Sequence, residues 1–252
     1  MSKQGGSVET GLRTEAPHGL SLQQRVYLWL AGIFVTSLLV ADITGAKFFH
    51  FGEVPLLGYS VALEHSVGMF AFPVTFLLTD LVNEYYGSKG ARRITFLGLG
   101  MAAYAFVLIY LARLAPPAPA GRTFVEEEHF QSVFAMSNRL YVASLTAYLV
   151  GQMSDIGMFW VFKKLTKGRM LWLRATGSTV VSQALDSLTI SFVLGYGTAL
   201  ASGEKATTGF ILETAAKGYG LKFAIAVGIT PLIYVGHGVM KKWFGLRPVR
   251  LG

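Results

Sequence analysis

The chain has 252 residues, 52% of them hydrophobic and only 14% charged, with a mean hydropathy of +0.48. Soluble domains carry about 25% charge, so this composition reads as an integral membrane protein. The absence of cysteine excludes a disulfide framework, thiolate chemistry and cysteine-ligated metal.

Residues 1–24 are polar, contain Pro17 and have no apolar core. They read as a disordered cytoplasmic tail rather than a cleaved signal peptide. Residues 25–242 follow as one transmembrane domain, and 243–252 as a short cytoplasmic tail. Six spans are expected, at about 26–45, 65–85, 94–114, 139–162, 175–200 and 222–240. The third is the cleanest, because 94–112 holds 19 residues without a charge or a proline. Residues 27–41 and 66–79 give only 15 and 14 uncharged positions. Spanning takes about 20, which draws Asp42 into the first helix and Asp80 into the second. A re-entrant second segment is the alternative.

The first span ends in a stripe of small residues, Ser37, Ala41 and Gly45. Such stripes let helices approach closely; packing is the expected role, and docking of a partner subunit or a homodimer the alternative. Asp42 and Lys47 near its outer end can pair, snorkel or meet a ligand. In the second span, Pro73 has no N–H to donate to the carbonyl of Met69, so a kink with a freed polar atom is expected. Asp80, Asn83 and Glu84 share a face near its cytoplasmic end. They read either as site residues or as an ion-pair cluster facing Arg92 and Arg93.

Lysine and arginine gather on one side of these spans. The first tail, the loops at 85–93 and 163–174, and the C-terminus hold fifteen of the 22. By the positive-inside rule both termini are cytoplasmic, and the basic excess is a topology signal rather than a nucleic-acid footprint. The outer connections are less basic. Loop 115–138 opens on Pro116-Pro117-Ala118-Pro119 and carries Glu126-Glu127-Glu128, which reads as a solvated face. Loop 201–221 is glycine-rich, with room for a short amphipathic helix.

The fourth and fifth spans carry an echo, Gly151-Gln152-Met153-Ser154-Asp155 and Ser182-Gln183-Ala184-Leu185-Asp186. A Gln and an Asp three apart share one helix face. An Asp at the centre of a spanning helix costs about 2.5–3.5 kcal/mol on insertion scales, which makes a functional role the better account of both acids. At 1.5 Å per residue, Asp155 lies about 12 Å above Lys163 and Gln183 about 13 Å above Arg174. Gln152 and Asp186 come at about 16 and 18 Å. Antiparallel helices would then set each Asp level with the other motif's Gln. Two layers of one carboxylate and one carboxamide suit a planar ligand with adjacent N–H donors and a carbonyl, such as a guanine-like edge. Interhelical hydrogen bonding is the alternative for the Gln residues. Phe72, Phe76, Phe159 and Trp160 offer faces for stacking, or simply core and lipid contact. His237 reads as an interfacial side chain rather than a proton relay.

The run Phe72-Pro73-x-x-Phe76-x-x-Thr79-Asp80, then Tyr86-Gly87 and Ala91-Arg92-Arg93, resembles the queuosine precursor transporters. So do Gly151-Gln152-x-x-Asp155, Trp172 with Ser178-Thr179, and Asp186-Ser187. The resemblance covers about residues 26–240. It implies an all-α, six-span, multi-pass protein of the bacterial inner membrane, in a group that also includes vitamin-uptake transporters. It implies import of 7-cyano-7-deazaguanine, its aminomethyl form or queuine, which feed tRNA modification. Ligand binding would fall on Asp80, Gln152, Asp155, Gln183 and Asp186, with Phe72 and Phe76 beside them. Asp42, Asn83 and Glu84 would support the site or couple protons. The family commonly carries Asn where this chain has Asp42; an acid there would favour the cationic aminomethyl ligand.

Two transport readings remain open: a self-sufficient carrier, with Asp155 or Asp186 protonated on one face, and a substrate-binding subunit of a multi-subunit vitamin-uptake transporter. An enzyme is not expected. Asp155 and Asp186 stand about 6 Å apart in depth, too far for an aspartyl dyad sharing a proton. No His-Glu-x-x-His, Gly-x-Ser-x-Gly or Walker-type loop is present, and neither cofactor nor metal is expected.

Overall fold

The computed structural model describes residues 19–56, 59–119, 122, 124–134, 138–202 and 208–249. Most of the expected N-terminal tail (1–18) lies outside them. Helix α1 spans Leu22–Thr44. It starts where Ser21 accepts from the Gln24 amide and the Gln24 side chain accepts from Ser21, a capping box that satisfies two otherwise orphaned donors. A hairpin follows, β1 (Phe48–Leu56) against β2 (Tyr59–Ser66). Its pairing is irregular between His50 and Glu53, where Gly52 adopts a φ of 108°. This hairpin departs from an all-helical chain, and the aromatic, β-branched run it occupies was not read as strand.

A 3-10 turn at Val67–Phe70 leads into α2, Phe72–Leu114. Pro73 stands in the first turn of α2, where its missing N–H is an orphan anyway; it starts the helix instead of kinking it. The helix is broken at Gly87, whose φ of 74° and ψ of 176° are not helical. At its C-terminal end α1 meets Gly68, at the carbonyl of Ala41. Tyr27, near its other end, donates to the carbonyl of Gly90, while Phe34 and Leu38 lie against Gly98. The arm 72–86 therefore runs antiparallel to α1 and the arm 88–114 runs parallel to it. The chain folds back at Gly87, and the expected loop 85–93 is a one-residue reversal. Arg92 and Arg93 sit exposed on the second arm.

Backbone with this φ and ψ is essentially restricted to glycine, at a cost of about 1–3 kcal/mol for other residues. A Cβ on Gly87 would meet Trp160 and Val249 only at 4.0 Å, so no clash adds to it. Gly87→Ala should therefore lower stability in detergent by about 1–3 kcal/mol, read as a drop in the thermal midpoint. An unchanged midpoint would show that the hairpin does not need this conformation.

The short α3 (Glu127–Phe134) is held to α2 by the side chain of Gln131, which contacts Arg113. Helices α4 (Asn138–Leu165) and α5 (Leu171–Ser202) form the most extensive helix pair. They are joined by a tight turn in which Lys167 and Gly168 take positive φ. Their antiparallel register follows from sequence levels: a Cβ on Gly151 would lie 3.3 Å from Asp186, and one on Gly177 would touch Phe162. Helix α6 (Thr208–Gly228) occupies most of what was read as loop 201–221; residues 203–207 of that loop lie outside the described residues. Helix α7 (Thr230–Lys242) continues it after a bend of 41°, with Pro231 in its first turn.

Leu22–Thr44 and Val67–Leu114 are long and apolar enough to cross a membrane, as is the bent pair Lys222–Gly228 and Thr230–Lys242 if taken as one span. Helices α4 and α5 are also long enough, at 28 and 32 residues, about 42 and 48 Å. Their apolar character is diluted by polar side chains turned inward: Gln152, Asp155, Ser178, Thr179, Ser182, Gln183 and Ser187 are all buried. An apolar outer surface around a polar interior suits a bilayer protein with a solute path.

Candidate functional site: a polar core with unpaired carboxylates

The first arm of α2 places Thr75, Thr79 and Asn83 on one line and Asp80 and Glu84 on the next. All five are buried. Spacings of four residues put each pair on one face, and this face meets α4 and α5. Thr79 donates to the Gln152 side chain at 3.2 Å, while Asn83 receives the Trp160 indole N–H at 2.7 Å.

Asp155 is 1% exposed and sits opposite one turn and a half of α5. Ser178, Thr179 and Ser182 all direct hydroxyls at its Oδ1, at 2.9, 3.4 and 3.3 Å. Its Oδ2 has no hydrogen-bond partner among the described residues, and neither has Oδ1 of Asp80. A buried unpaired carboxylate oxygen is expensive. Two of them in one core make Asp80 and Asp155 the candidates for contact with a ligand, ion or proton.

The two acids are neighbours electrostatically. Asp80 feels the carboxylates of Asp155 and Glu84 and the guanidinium of Arg174. Asp80 also lines a small cavity with Thr176, Thr179 and Thr230, and Thr179 is the residue that donates to Asp155. The cavity reaches the break between α6 and α7. There Pro231 cannot donate to the carbonyl four residues earlier, and Thr176 and Thr230 share a hydroxyl hydrogen bond at 2.7 Å.

On the side of the α4–α5 turn, Glu84 binds Arg174 at 2.8 Å and Lys163 at 3.0 Å, with all three side chains 4% exposed. Lys163 also donates to the carbonyl of Val249, and the Val249 N–H donates to the carbonyl of Glu84. The C-terminal segment is thus strapped over this end of the core. The cluster expected for Glu84 exists, but its partners are Lys163 and Arg174 in place of Arg92 and Arg93. Twelve residues further along α5, about 18 Å away, Asp186 pairs with Lys222 of α6 at 2.5 Å.

Of the sequence candidates, the structure brings together Asp80, Asn83, Glu84, Gln152 and Asp155, with Gln183 buried one residue beyond Ser182. The levels expected for the Gln–Asp echo hold, since Gly151 lies at Asp186 and Asp155 faces 178–182. Asp186 stands apart in its ion pair. Phe72 and Phe76 stack on each other with centroids 6.2 Å apart, and neither lines the cavity. Phe159 is fully buried in an apolar cluster. Asp42 lies at the far end of α1, within electrostatic reach of Tyr141 and Tyr148, and does not line the cavity. His237 is partly exposed, and its Nδ1 bonds the Tyr85 hydroxyl at 2.8 Å. In the small-residue stripe, Ala41 and Gly45 are covered by Gly68 and Ser66 of the same chain. The sequence reading missed Thr176, Thr230 and the helix break, whose local signal was Gly228-x-Thr230-Pro231 inside an apolar run.

Comparison with known proteins agrees with this setting. The family described as "Putative vitamin uptake transporter" matches residues 66–236, from the 3-10 turn to the middle of α7. A "Queuosine precursor transporter" of Escherichia coli (strain K12) is 31% identical over 152 residues, 58% of this chain and 65% of that protein. A "Probable queuosine precursor transporter" of Bacillus subtilis (strain 168) is 27% identical over 136 residues, 54% of this chain and 58% of its own length. One of the same description from Haemophilus influenzae is 28% identical over 132 residues, 52% of each. The matched stretch thus spans about half to two thirds of these relatives. No solved structure matches the chain. With more than half of its length matched, and with Asp80, Gln152, Asp155, Gln183 and Asp186 all inside residues 66–236, the chain belongs to the family of vitamin uptake transporters.

Proposed function

We propose that the protein imports a queuosine precursor, a 7-deazaguanine such as 7-cyano-7-deazaguanine, 7-aminomethyl-7-deazaguanine or queuine, across the bacterial inner membrane for salvage into tRNA modification. The observation that carries this reading is the pair of unpartnered, buried carboxylate oxygens on Asp80 and Asp155, in a core that also buries Gln152 and Gln183. A guanine-like edge presents adjacent N–H donors and a carbonyl. Carboxylates accept from the former, and a carboxamide can donate to the latter. The relatives' names point to the same ligand class.

Six spans account for the helices: α1, the two arms of α2, α4, α5 and the bent pair α6–α7. The basic residues then put both termini and the Glu84 cluster on the cytoplasmic side, and the Asp186–Lys222 pair towards the outside. The polar core lies between two ion-pair closures. The cavity at Asp80 is too small for a base, so admitting one requires the core to open. Asp186 enters the ligand path when Lys222 releases it. Asp42, Asn83 and Glu84 act as supporting residues, with Glu84 closing the inner end.

A carrier working alone is favoured over a binding subunit by the covered stripe, since Ala41 and Gly45 already pack against the same chain. The test is uptake of each labelled 7-deazaguanine by liposomes holding only the purified protein. Uptake of one of them, abolished by Asp155→Asn, is expected. Binding without uptake would move the protein to the subunit reading, and proton coupling would be dropped if uptake ignored a collapsed proton gradient.

A further inference from the structure

The charges inside the bundle do not balance. The buried basic side chains among the described residues are Lys163 and Arg174; both bond Glu84, which balances only one of their two charges. Lys222 is committed to Asp186. Against the one positive charge left over stand two carboxylates, Asp155 and Asp80, the latter 4% exposed and with a free Oδ1, and among the described residues no cation bonds Asp80. Buried charges are paired, coordinate a metal ion or are neutralised by a proton.

The cavity at Asp80 has the makings of an ion site. Its polar lining is oxygen only: the Asp80 carboxylate and the hydroxyls of Thr176, Thr179 and Thr230, the rest being aliphatic. Each hydroxyl proton has somewhere else to go. Thr179 donates to Asp155, Thr176 can donate to Thr230, and Thr230 to the carbonyl of Ala226. Their lone pairs are therefore free for the cavity. Oxygen-only lining selects a hard cation. One carboxylate among neutral hydroxyls matches a single positive charge better than a double one. The cavity has room for roughly one water-sized sphere, which admits a dehydrated sodium ion. The site also sits at a helix break, where unwound backbone in transporters commonly faces ions.

We propose that Asp80 and the hydroxyl oxygens of Thr176, Thr179 and Thr230 form a sodium site at the α6–α7 break. A monovalent metal ion was not among the expectations from sequence. The ion would neutralise Asp80 and draw the first arm of α2, α5 and both halves of the bent pair together. Through Thr179 it would connect directly to Asp155. This inference goes beyond the substrate reading and does not rest on it, because sodium binding is measurable with no base present.

The test is the unfolding midpoint of detergent-purified protein while NaCl replaces KCl at constant total salt. A saturable, sodium-specific rise is expected, corresponding to about a hundredfold lower unfolding constant at 100 times the dissociation constant. Asp80→Asn should abolish it. Thr176→Val keeps the side-chain shape; it should lower the midpoint in KCl only slightly, through the lost bond to Thr230, yet lose most of the sodium response. Equal midpoints in sodium and potassium would overturn the proposal, as would a sodium response that survives Asp80→Asn. A midpoint that follows pH but not sodium would assign the site to a proton and overturn it too. If sodium stabilises but no 7-deazaguanine binds, this site stands and the substrate reading falls.

Discussion

Glu84→Gln is expected to destabilise the protein by about 3–5 kcal/mol, the usual consequence of removing one partner from a buried ion pair. The substitution keeps the side-chain shape and removes only the charge, but it leaves Lys163 and Arg174 buried without a carboxylate. Both bond Glu84 within 3.0 Å, with side chains only 4% exposed. The loss should spread to the C-terminal strap, since Lys163 also holds the carbonyl of Val249. Trypsin should then cut after Lys242, which is exposed where the strap leaves α7, far faster than in the wild type, and the midpoint in detergent should fall. A double-mutant cycle with Arg174→Gln should return a coupling above about 1 kcal/mol. Wild-type stability and protease resistance in Glu84→Gln would show that the cluster does not close this end.

Asp155→Asn should behave in the opposite way, with little loss of stability and a large loss of binding. Asn keeps an oxygen for the hydroxyls of Ser178, Thr179 and Ser182, which point at Oδ1. Its amide nitrogen then stands where Oδ2 was free, a donor where a ligand N–H needs an acceptor. Loss of a hydrogen bond to a charged group costs about 1.5–3 kcal/mol, so affinity for the base should fall by roughly 10- to 150-fold. Direct binding measurements beside thermal midpoints separate the two effects. An Asn variant that binds as tightly as the wild type would remove Asp155 from the site.

The central acid was legible because its cause is local. Gln152 and Asp155 share a helix face by spacing alone, and a short turn at 166–170 forces α4 and α5 antiparallel, so their relative depths follow from helical rise. Partners across the bundle were not legible in the same way. That Glu84 meets Lys163 and Arg174, and Asp186 meets Lys222, depends on which helix lies beside which, and hydropathy is silent on helix order. From sequence alone Lys222 is only one more basic residue on the less basic side. Pro73 and Pro231 carry the same lesson: each could kink a long helix or begin a new one. Both begin helices here, because the preceding turns already break the chain. At Gly87 a basic, glycine-containing stretch resembled a loop, and the reversal needs only one residue with positive φ.

The central claim is that the polar core at Asp80 and Asp155 binds a 7-deazaguanine. Its most direct test is the thermal shift of purified protein with 7-cyano-7-deazaguanine, 7-aminomethyl-7-deazaguanine, queuine, guanine, biotin and riboflavin in turn. Ligand at 100 times its dissociation constant should stabilise the native state by about 2.7 kcal/mol. The account predicts such a shift with one deazaguanine, lost in Asp155→Asn. A shift with biotin or riboflavin and none with any deazaguanine would contradict it.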